Sequence, residues 1–302
     1  MPLSDKRDSI EDGTEGKYDP RNTLNDLTGR EWIKFTRSWF VLDSKRYHQN
    51  RATEMHPARY PEELVNEFVQ YFTKAGQWVF DPFSGSGATL VSCCETGRNG
   101  VGVELSPKYA EVARERLQQQ AMFSRSFVVE GDARDAGRST FWEEDIPGLG
   151  LGKAGLPQFD FIMTSPPYWN VLHTSRGGVE STHKKREKAG LDTHYSGDDL
   201  DLGNIADYDE FIEALGGVFD GLHDLLKPGK YMTVVVQNVR DPEGVLRPIA
   251  WDLARRVSDS FAFQGERVWC QNSKMLGIWG YPRVFVPNYH HHYCLIFRSD
   301  PS

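Results

Sequence analysis

Phe80-Asp81-Pro82-Phe83-Ser84-Gly85-Ser86-Gly87-Ala88-Thr89 decides the fold class, because an apolar run ends there and a helical pattern begins. Residues 77–81 read as a short buried strand, and residues 88–96 as a helix stopped by Gly97. Glycines in the turn between them let a ligand approach the backbone with no Cβ in the way. On the glycines alone, a tight strand-to-helix turn such as any α/β protein needs is the alternative reading.

Working outward toward the C-terminus, residues 100–105 read as a second strand. Residues 107–119 form an amphipathic helix with Tyr109, Val112, Ala113 and Leu117 along one face. Strands follow at 126–130 and 159–164, separated by a Gly- and Pro-rich loop over 137–158. A helix over 208–226 closes at Pro228-Gly229, 231–236 is a β-branched strand, 248–258 a helix, and 264–270 and 291–298 the closing strands. Toward the N-terminus, Pro61 opens a helix in which Leu64, Val65, Phe68, Val69 and Phe72 recur at helical spacing up to Gly76. Strands separated by helices make βαβ units, so the expected fold is α/β, a doubly wound and mostly parallel sheet. Residues 1–22 are polar and expected to be a disordered tail. Residues 23–302 are expected to be one domain, with an extension over 23–60 whose Leu24, Leu27, Trp32, Phe35, Trp39 and Phe40 cover part of the core.

The bulk properties exclude more than they identify. A chain of 302 residues with 39% hydrophobic content is ordinary for a globular protein, and no apolar run approaches the ~18–20 residues of a membrane span. The polar start lacks a signal-peptide core, so a cytoplasmic location is expected. A net charge of −8 speaks against broad binding to polyanions, although phosphate contacts need only a local basic strip. Cys93, Cys94, Cys270 and Cys294 form no Cys-x-x-Cys pair and read as reduced residues. His290-His291-His292 sits on a strand, where neighbours point to opposite faces, so no metal site is expected.

Two further acids sit at strand ends beyond the glycine turn. Glu104 closes the second strand, where a carboxylate can accept both ribose hydroxyls of a nucleoside. Asp132 closes the next, where it can accept from an adenine amino group. Asp81 at the mouth would repel phosphate and receive a positive ligand end; a dinucleotide site would want Gly-x-Gly-x-x-Gly instead. A ligand with ammonium and sulfonium groups fits that charge.

The strand over 159–164 runs into Ser165-Pro166-Pro167-Tyr168-Trp169-Asn170. The two prolines lock φ and lack N–H donors, so carbonyls can point rigidly into a cleft. An exocyclic base amine is a poor nucleophile until acceptors bind its hydrogens. Ser165 Oγ and the Pro166 carbonyl are the candidate acceptors, and Tyr168 the candidate platform for a base extruded from its helix. The alternative is a Pro-rich turn after a strand. No Pro-Cys pair stands in a catalytic position, which speaks against a covalent cytosine-C5 mechanism.

Ser165-Pro166-Pro167-Tyr168 together with Asp81-Pro82-Phe83-x-Gly85-x-Gly87 resembles the amino-group DNA methyltransferases, in particular the N4-cytosine branch. The adenine-N6 relatives usually carry Asp at the first tetrapeptide position. His56-Pro57-Ala58-Arg59-Tyr60-Pro61 resembles the family's additional cofactor-contacting segment. The resemblance covers roughly 54–298. It implies the seven-stranded class I methyltransferase sheet with an antiparallel last strand, and S-adenosylmethionine as cofactor. It places Pro57, Ala58, Tyr60, Asp81, Pro82, Phe83, Gly85, Gly87, Glu104, Leu105, Asp132 and Ala133 at the cofactor, and Ser165, Pro166, Pro167 and Tyr168 at the flipped target base in DNA.

The chain departs from the family in one respect. A sizeable target-recognition region is common there; here the cofactor motif precedes the catalytic one, and DNA reading is expected to come from shorter insertions or from a partner. Insertions over 169–206, with Lys184, Lys185 and Arg186, and over 272–289, with Lys274, Trp279, Tyr281 and Arg283, are candidates for DNA contact. The 183–188 run reads equally as a solvated charged loop, and Arg37, Lys45, Arg46 and Arg51 form a third, weaker basic set. Adenine N6, an RNA substrate, a homodimer, a separate recognition or restriction partner, and a restriction-modification or regulatory role all stay open on the sequence.

Overall fold

The computed structural model describes residues 17–43, 60–120, 124–142, 146–152, 155–169, 200–241, 243–274 and 276–300. Its strands are β1 (Trp39–Val41), β2 (Trp78–Asp81), β3 (Asn99–Glu104), β4 (Ser126–Glu130), β5 (Phe159–Thr164), β6 (Leu226–Val236), β7 (Val239–Arg240), β8 (Leu246–Arg247), β9 (Ala262–Cys270) and β10 (His291–Arg298). The helices are α1 (Gly29–Phe35), α2 (Glu62–Phe72), α3 (Ala88–Thr96), α4 (Pro107–Gln118), α5 (Tyr208–Gly221) and α6 (Ile249–Val257).

The strands join in the order β1-β9-β10-β6-β5-β2-β3-β4. Adjacent strands from β6 through β4 run parallel, while β10 lies antiparallel between β6 and β9. This is the expected doubly wound sheet with its reversed last strand. The eighth strand, β1, comes from the N-terminal extension and pairs parallel with the edge of β9.

The central strands are buried on both faces, and their side chains alternate between two cores. Phe80 and Ile162 face the layer of α5 and α6, with Phe159, Leu215 and Phe219. Val79, Phe161 and Met163 face α1 and α2, with Phe35, Phe68 and Phe72. The extension docks through Arg267, whose guanidinium lies 3.9 Å from the Phe35 ring centre and 4.3 Å from that of Phe40. Arg267 also donates to the Arg37 carbonyl and to Glu67, so the buried charge is partnered. A capping box between Thr28 and Glu31 starts α1.

Three readings of the sequence need correction. The helix expected over 208–226 ends at Gly221, and a single 3-10 turn, His223–Leu225, leads straight into β6. Pro228-Gly229 does not close that helix; it lies inside β6, where the register against β5 shifts. Gly229 has φ +73°, and a bulge tolerates a proline that an unbroken ladder would reject. Residues 17–22, assigned to the tail, form a turn in which the Asn22 N–H donates to the Asp19 carbonyl and Asn22 Nδ2 to Asn25 Oδ1. Residues 1–16 lie outside the described residues. The β7–β8 ribbon went unread because two residues per strand give no period to detect.

Candidate functional site

The strand-to-helix turn after β2 is built around Asp81, which is 1% exposed. Its Oδ1 accepts from Thr164 Oγ1 at 2.7 Å and from the Phe83 N–H at 3.0 Å. Its Oδ2 accepts from Thr89 Oγ1 at 2.5 Å and from the Tyr60 hydroxyl at 3.0 Å. Asp81 therefore ties together the end of β5, the first turn of α3 and the segment before α2. Burial pushes its carboxyl upward, opposed by these hydrogen bonds. The expectation that Asp81 stands at the mouth and receives a ligand's positive end is corrected: it lies beneath the turn, with protein donors on both oxygens.

Gly87, also expected at the ligand, instead serves helix packing. It caps α3 with φ +79°, and a Cβ there would lie 2.9 Å from the Ala113 Cβ of α4. Gly102 in β3 makes room for the same turn, since a Cβ would fall 2.4 Å from Ser84 Oγ.

Above the turn opens a cavity of about 870 Å³, part of it continuous with solvent. Of the residues expected at a cofactor, Tyr60, Pro82, Phe83, Gly85, Glu104, Leu105, Asp132 and Ala133 line it. Ser165 and Pro167 line the same cavity, so the glycine turn and the proline turn open onto one cleft. Pro166 and Tyr168 do not reach its wall. Pro57, Ala58, Lys184, Lys185 and Arg186 lie outside the described residues.

The sequence reading missed Ser84, Ser86, Ser106, Tyr109, Gly131, Leu200, Asp201 and Leu202, which also line the cavity. Ser106 directly follows Leu105 and Gly131 directly precedes Asp132, both of which had been singled out, so a wider window at the strand ends would have found them. Residues 200–202 carried no signal, because their place depends on how the chain returns from a long connection. Arg134 holds that return: it forms a bidentate pair with Asp132 and donates to the Leu200 carbonyl at 2.9 Å.

The wall carries three carboxylates, Glu104, Asp132 and Asp201, and no Lys or Arg among the described residues. Such a wall repels phosphate and favours a neutral or cationic guest. Glu104 accepts from the Gly85 N–H at 2.7 Å and the Ser106 N–H at 2.8 Å. Burial nevertheless raises its pKa to about 7, with the neighbouring Asp81 and Asp201 charges adding to the rise.

Ser165 Oγ donates to the Val235 carbonyl at 3.0 Å, and the Tyr168 hydroxyl lies 3.1 Å from Ser165 Oγ. With its proton on Val235, the serine oxygen keeps lone pairs to offer as an acceptor. Trp169 ends the turn at φ +49°, an uncommon conformation for a bulky residue, and its ring packs edge-on against Tyr208. His292 of β10 stacks on Trp269 with ring centres 4.6 Å apart and lies 6.2 Å from Tyr168. Burial, then the Lys274 charge, lowers the His292 pKa to about 3, so it is a neutral aromatic neighbour of the turn. His291 instead lies 3.1 Å from the Tyr293 hydroxyl, apart from His292 as strand alternation requires.

Lys274 and Arg283 stand away from the cavity, on the connection from β9 to β10. No helix among the described residues is long and apolar enough to cross a membrane.

Comparison with known proteins bears on this site. The type II methyltransferase M.Cfr9I of Citrobacter freundii is 44% identical over 63 residues, 21% of this chain and 21% of that protein. The orphan methyltransferase M.BamHII of Bacillus amyloliquefaciens is 34% identical over 124 residues, 40% of this chain and 44% of that protein. The similar stretches thus span less than half the length of these relatives. Among solved structures, TrmN from Thermus thermophilus overlaps 79% of this chain and 48% of its own with a TM-score of 0.43 at 17% identity. The fold assignment rests on this chain's own strand order. A family model described as DNA methylase matches residues 6–115, a stretch that holds the glycine turn and Glu104 but ends before Ser165. Residues 6–115 are thus similar to the DNA methylase family over about a third of the chain.

Proposed function

We propose that this protein transfers a methyl group from S-adenosylmethionine to the exocyclic amino group of a base in DNA, with cytosine N4 as the target. The observation that carries this reading is the shared cleft: Ser165 and Pro167 line the same cavity as Phe83, Gly85 and Glu104. Its acid-lined wall, without Lys or Arg among the described residues, suits a nucleoside with a positive sulfonium.

When bound, S-adenosylmethionine supplies an electrophilic methyl group on sulfur. Glu104 accepts from the ribose hydroxyls in its ionised form, held beside the Gly85 and Ser106 N–H groups. Asp132, fixed by Arg134, faces the adenine. Ser165 Oγ and the Pro166 carbonyl accept the hydrogens of the target amine and localise its lone pair for attack. Tyr168 steadies Ser165 through its hydroxyl, and its ring lies beside the entering base. Serine at the first tetrapeptide position supports cytosine, because the adenine-N6 relatives usually carry aspartate there. Lys274 and Arg283 are the described candidates for phosphate contact.

Incubation with methyl-labelled cofactor and unmethylated plasmid DNA, followed by digestion to nucleosides, is expected to give labelled N4-methylcytosine. Labelled N6-methyladenine would overturn the base assignment, and label in RNA but not DNA would overturn the substrate class. Label appearing only after a second protein is added would make the chain a catalytic subunit. Ser165→Ala is expected to lower kcat by about 10²-fold while cofactor affinity stays within twofold. Loss of cofactor binding would contradict the role given to Ser165.

A further inference from the structure

The connection from β9 to β10 exposes large apolar side chains at a density found nowhere else among the described residues. Phe285 is 89% exposed, Ile278 86%, Tyr281 83% and Leu276 77%. Scattered exposed apolar residues are ordinary, but a cluster on one loop marks a contact surface.

The loop is preformed. Asn288 clamps its two limbs, accepting from the Gly277 N–H at 2.9 Å and the Trp279 indole N–H at 3.1 Å, and donating to the Gly277 carbonyl at 3.0 Å. Beyond the clamp, the Arg283 and Val284 N–H groups both donate to the Gly280 carbonyl, closing a tight turn. Gly280 has φ +72°, and a Cβ there would lie 2.4 Å from the Val284 carbonyl oxygen, so the turn requires glycine. Ile278 and Phe285 flank that turn and project from a held frame.

The loop also leaves the sheet at the catalytic edge. It emerges where β9 ends at Cys270 and returns where β10 begins at His291. Val235, whose carbonyl holds Ser165, pairs with Cys294, and His292 at the loop's return lies beside Tyr168.

Charge identifies the partner. From Arg267 to Ser299 the sequence has no Asp or Glu, in a chain that carries 43 acids and a net charge of −8. Arg283 stands within the turn and Lys274 at the loop's start. An acid-free stretch with one cation at its start, one in its turn and apolar side chains flanking that turn matches a polyanion whose interior is apolar and stacked.

We infer that the β9–β10 loop is a wedge for duplex DNA, with Ile278 and Phe285 entering the base stack beside the extruded nucleotide while Lys274 and Arg283 hold flanking phosphates. This rests on the DNA reading of the active cleft and adds the element that opens the duplex. No covalent step is involved; the loop trades lost base stacking for its own apolar contact.

The test uses the full chain and unmethylated plasmid duplex, with two variants, Ile278→Ser/Phe285→Ser and Arg283→Ala. Duplex affinity against salt, cofactor affinity, melting temperature, oligomeric state and methyl transfer are measured for each. The wedge variant is expected to lose at least tenfold in duplex affinity with an unchanged salt slope, melting temperature and cofactor affinity. Arg283→Ala is expected to lower the salt slope by about one. A wedge variant binding duplex within twofold of wild type overturns the proposal, as does a wild-type chain that does not bind duplex. Loss of a homodimer in place of duplex affinity also overturns it, making the patch a self-association surface. A wild-type chain that binds duplex through this loop but transfers no label sinks the methylation reading and leaves the wedge standing. Methylation at wild-type rates by the wedge variant does the reverse.

Discussion

The turn after β2 and the loop after β9 leave the same edge of one sheet, yet they are opposites in construction. The β2 turn folds its polar groups inward onto Asp81, a buried carboxylate with four protein donors. The β9 loop is clamped by a half-buried Asn288 and turns its apolar groups outward. A small-molecule cradle must keep its shape while empty, so its residues are bound to one another. A surface that meets a large polymer gains its energy only on contact, so its residues are held in place and left uncovered. The contrast makes stability sensitive at the first site and nearly indifferent at the second.

Asp81→Ala should produce the largest effect. It strips the acceptor from three hydroxyls and an N–H in a buried place, at a cost of about 3 kcal/mol. Urea unfolding would measure it, and a loss below 1 kcal/mol would mean that Tyr60, Thr89 and Thr164 satisfy one another without the carboxylate. Asp81→Asn, which keeps an acceptor oxygen, should cost less.

Glu104 tests the same cradle through pH. Its folded pKa of about 7 lies above the ordinary glutamate value of 4.5, so the folded chain binds its proton more tightly than the unfolded chain does. That stabilisation is complete below pH 4.5 and disappears as pH rises through 7, amounting to about 3 kcal/mol at most. Relative to Glu104→Gln, the wild-type chain should therefore lose stability between pH 4.5 and pH 7.5 in urea titrations. Parallel pH curves for the two proteins would place Glu104 in a solvated setting instead.

The smallest effect belongs to the loop. Phe285→Ser removes a side chain that is 89% exposed, and the change in unfolding free energy should stay within about 0.5 kcal/mol. A larger loss would show that Phe285 packs against the fold, and would weaken the contrast between the two regions.

Much of the sheet was legible because its signals are local. The strands Ser126–Glu130, Phe159–Thr164 and His291–Arg298 were bounded to the residue by apolar and β-branched runs between turn formers. The cradle was recognisable from glycines and strand-end acids, and most of its residues line the cavity. The errors fell where one residue type can serve two purposes. Pro228-Gly229 punctuates a helix end or a strand bulge equally well. Asp81 can be a ligand partner or a structural hub, and two of the three hydroxyls that claim it, those of Tyr60 and Thr164, are remote in sequence.

The sequence by itself determined the alternation of strands and helices, the glycine turn, the acids at the strand ends and the rigid Ser165–Tyr168 turn, because periodicity and backbone restriction act between near neighbours. Only the tertiary structure decided that Asp81 is buried, that residues 200–202 close the cavity, that β1 extends the sheet and that the β9–β10 loop presents bare apolar tips. Each of these depends on segments brought together from distant parts of the chain, and burial is a property of that assembly, with no local signature.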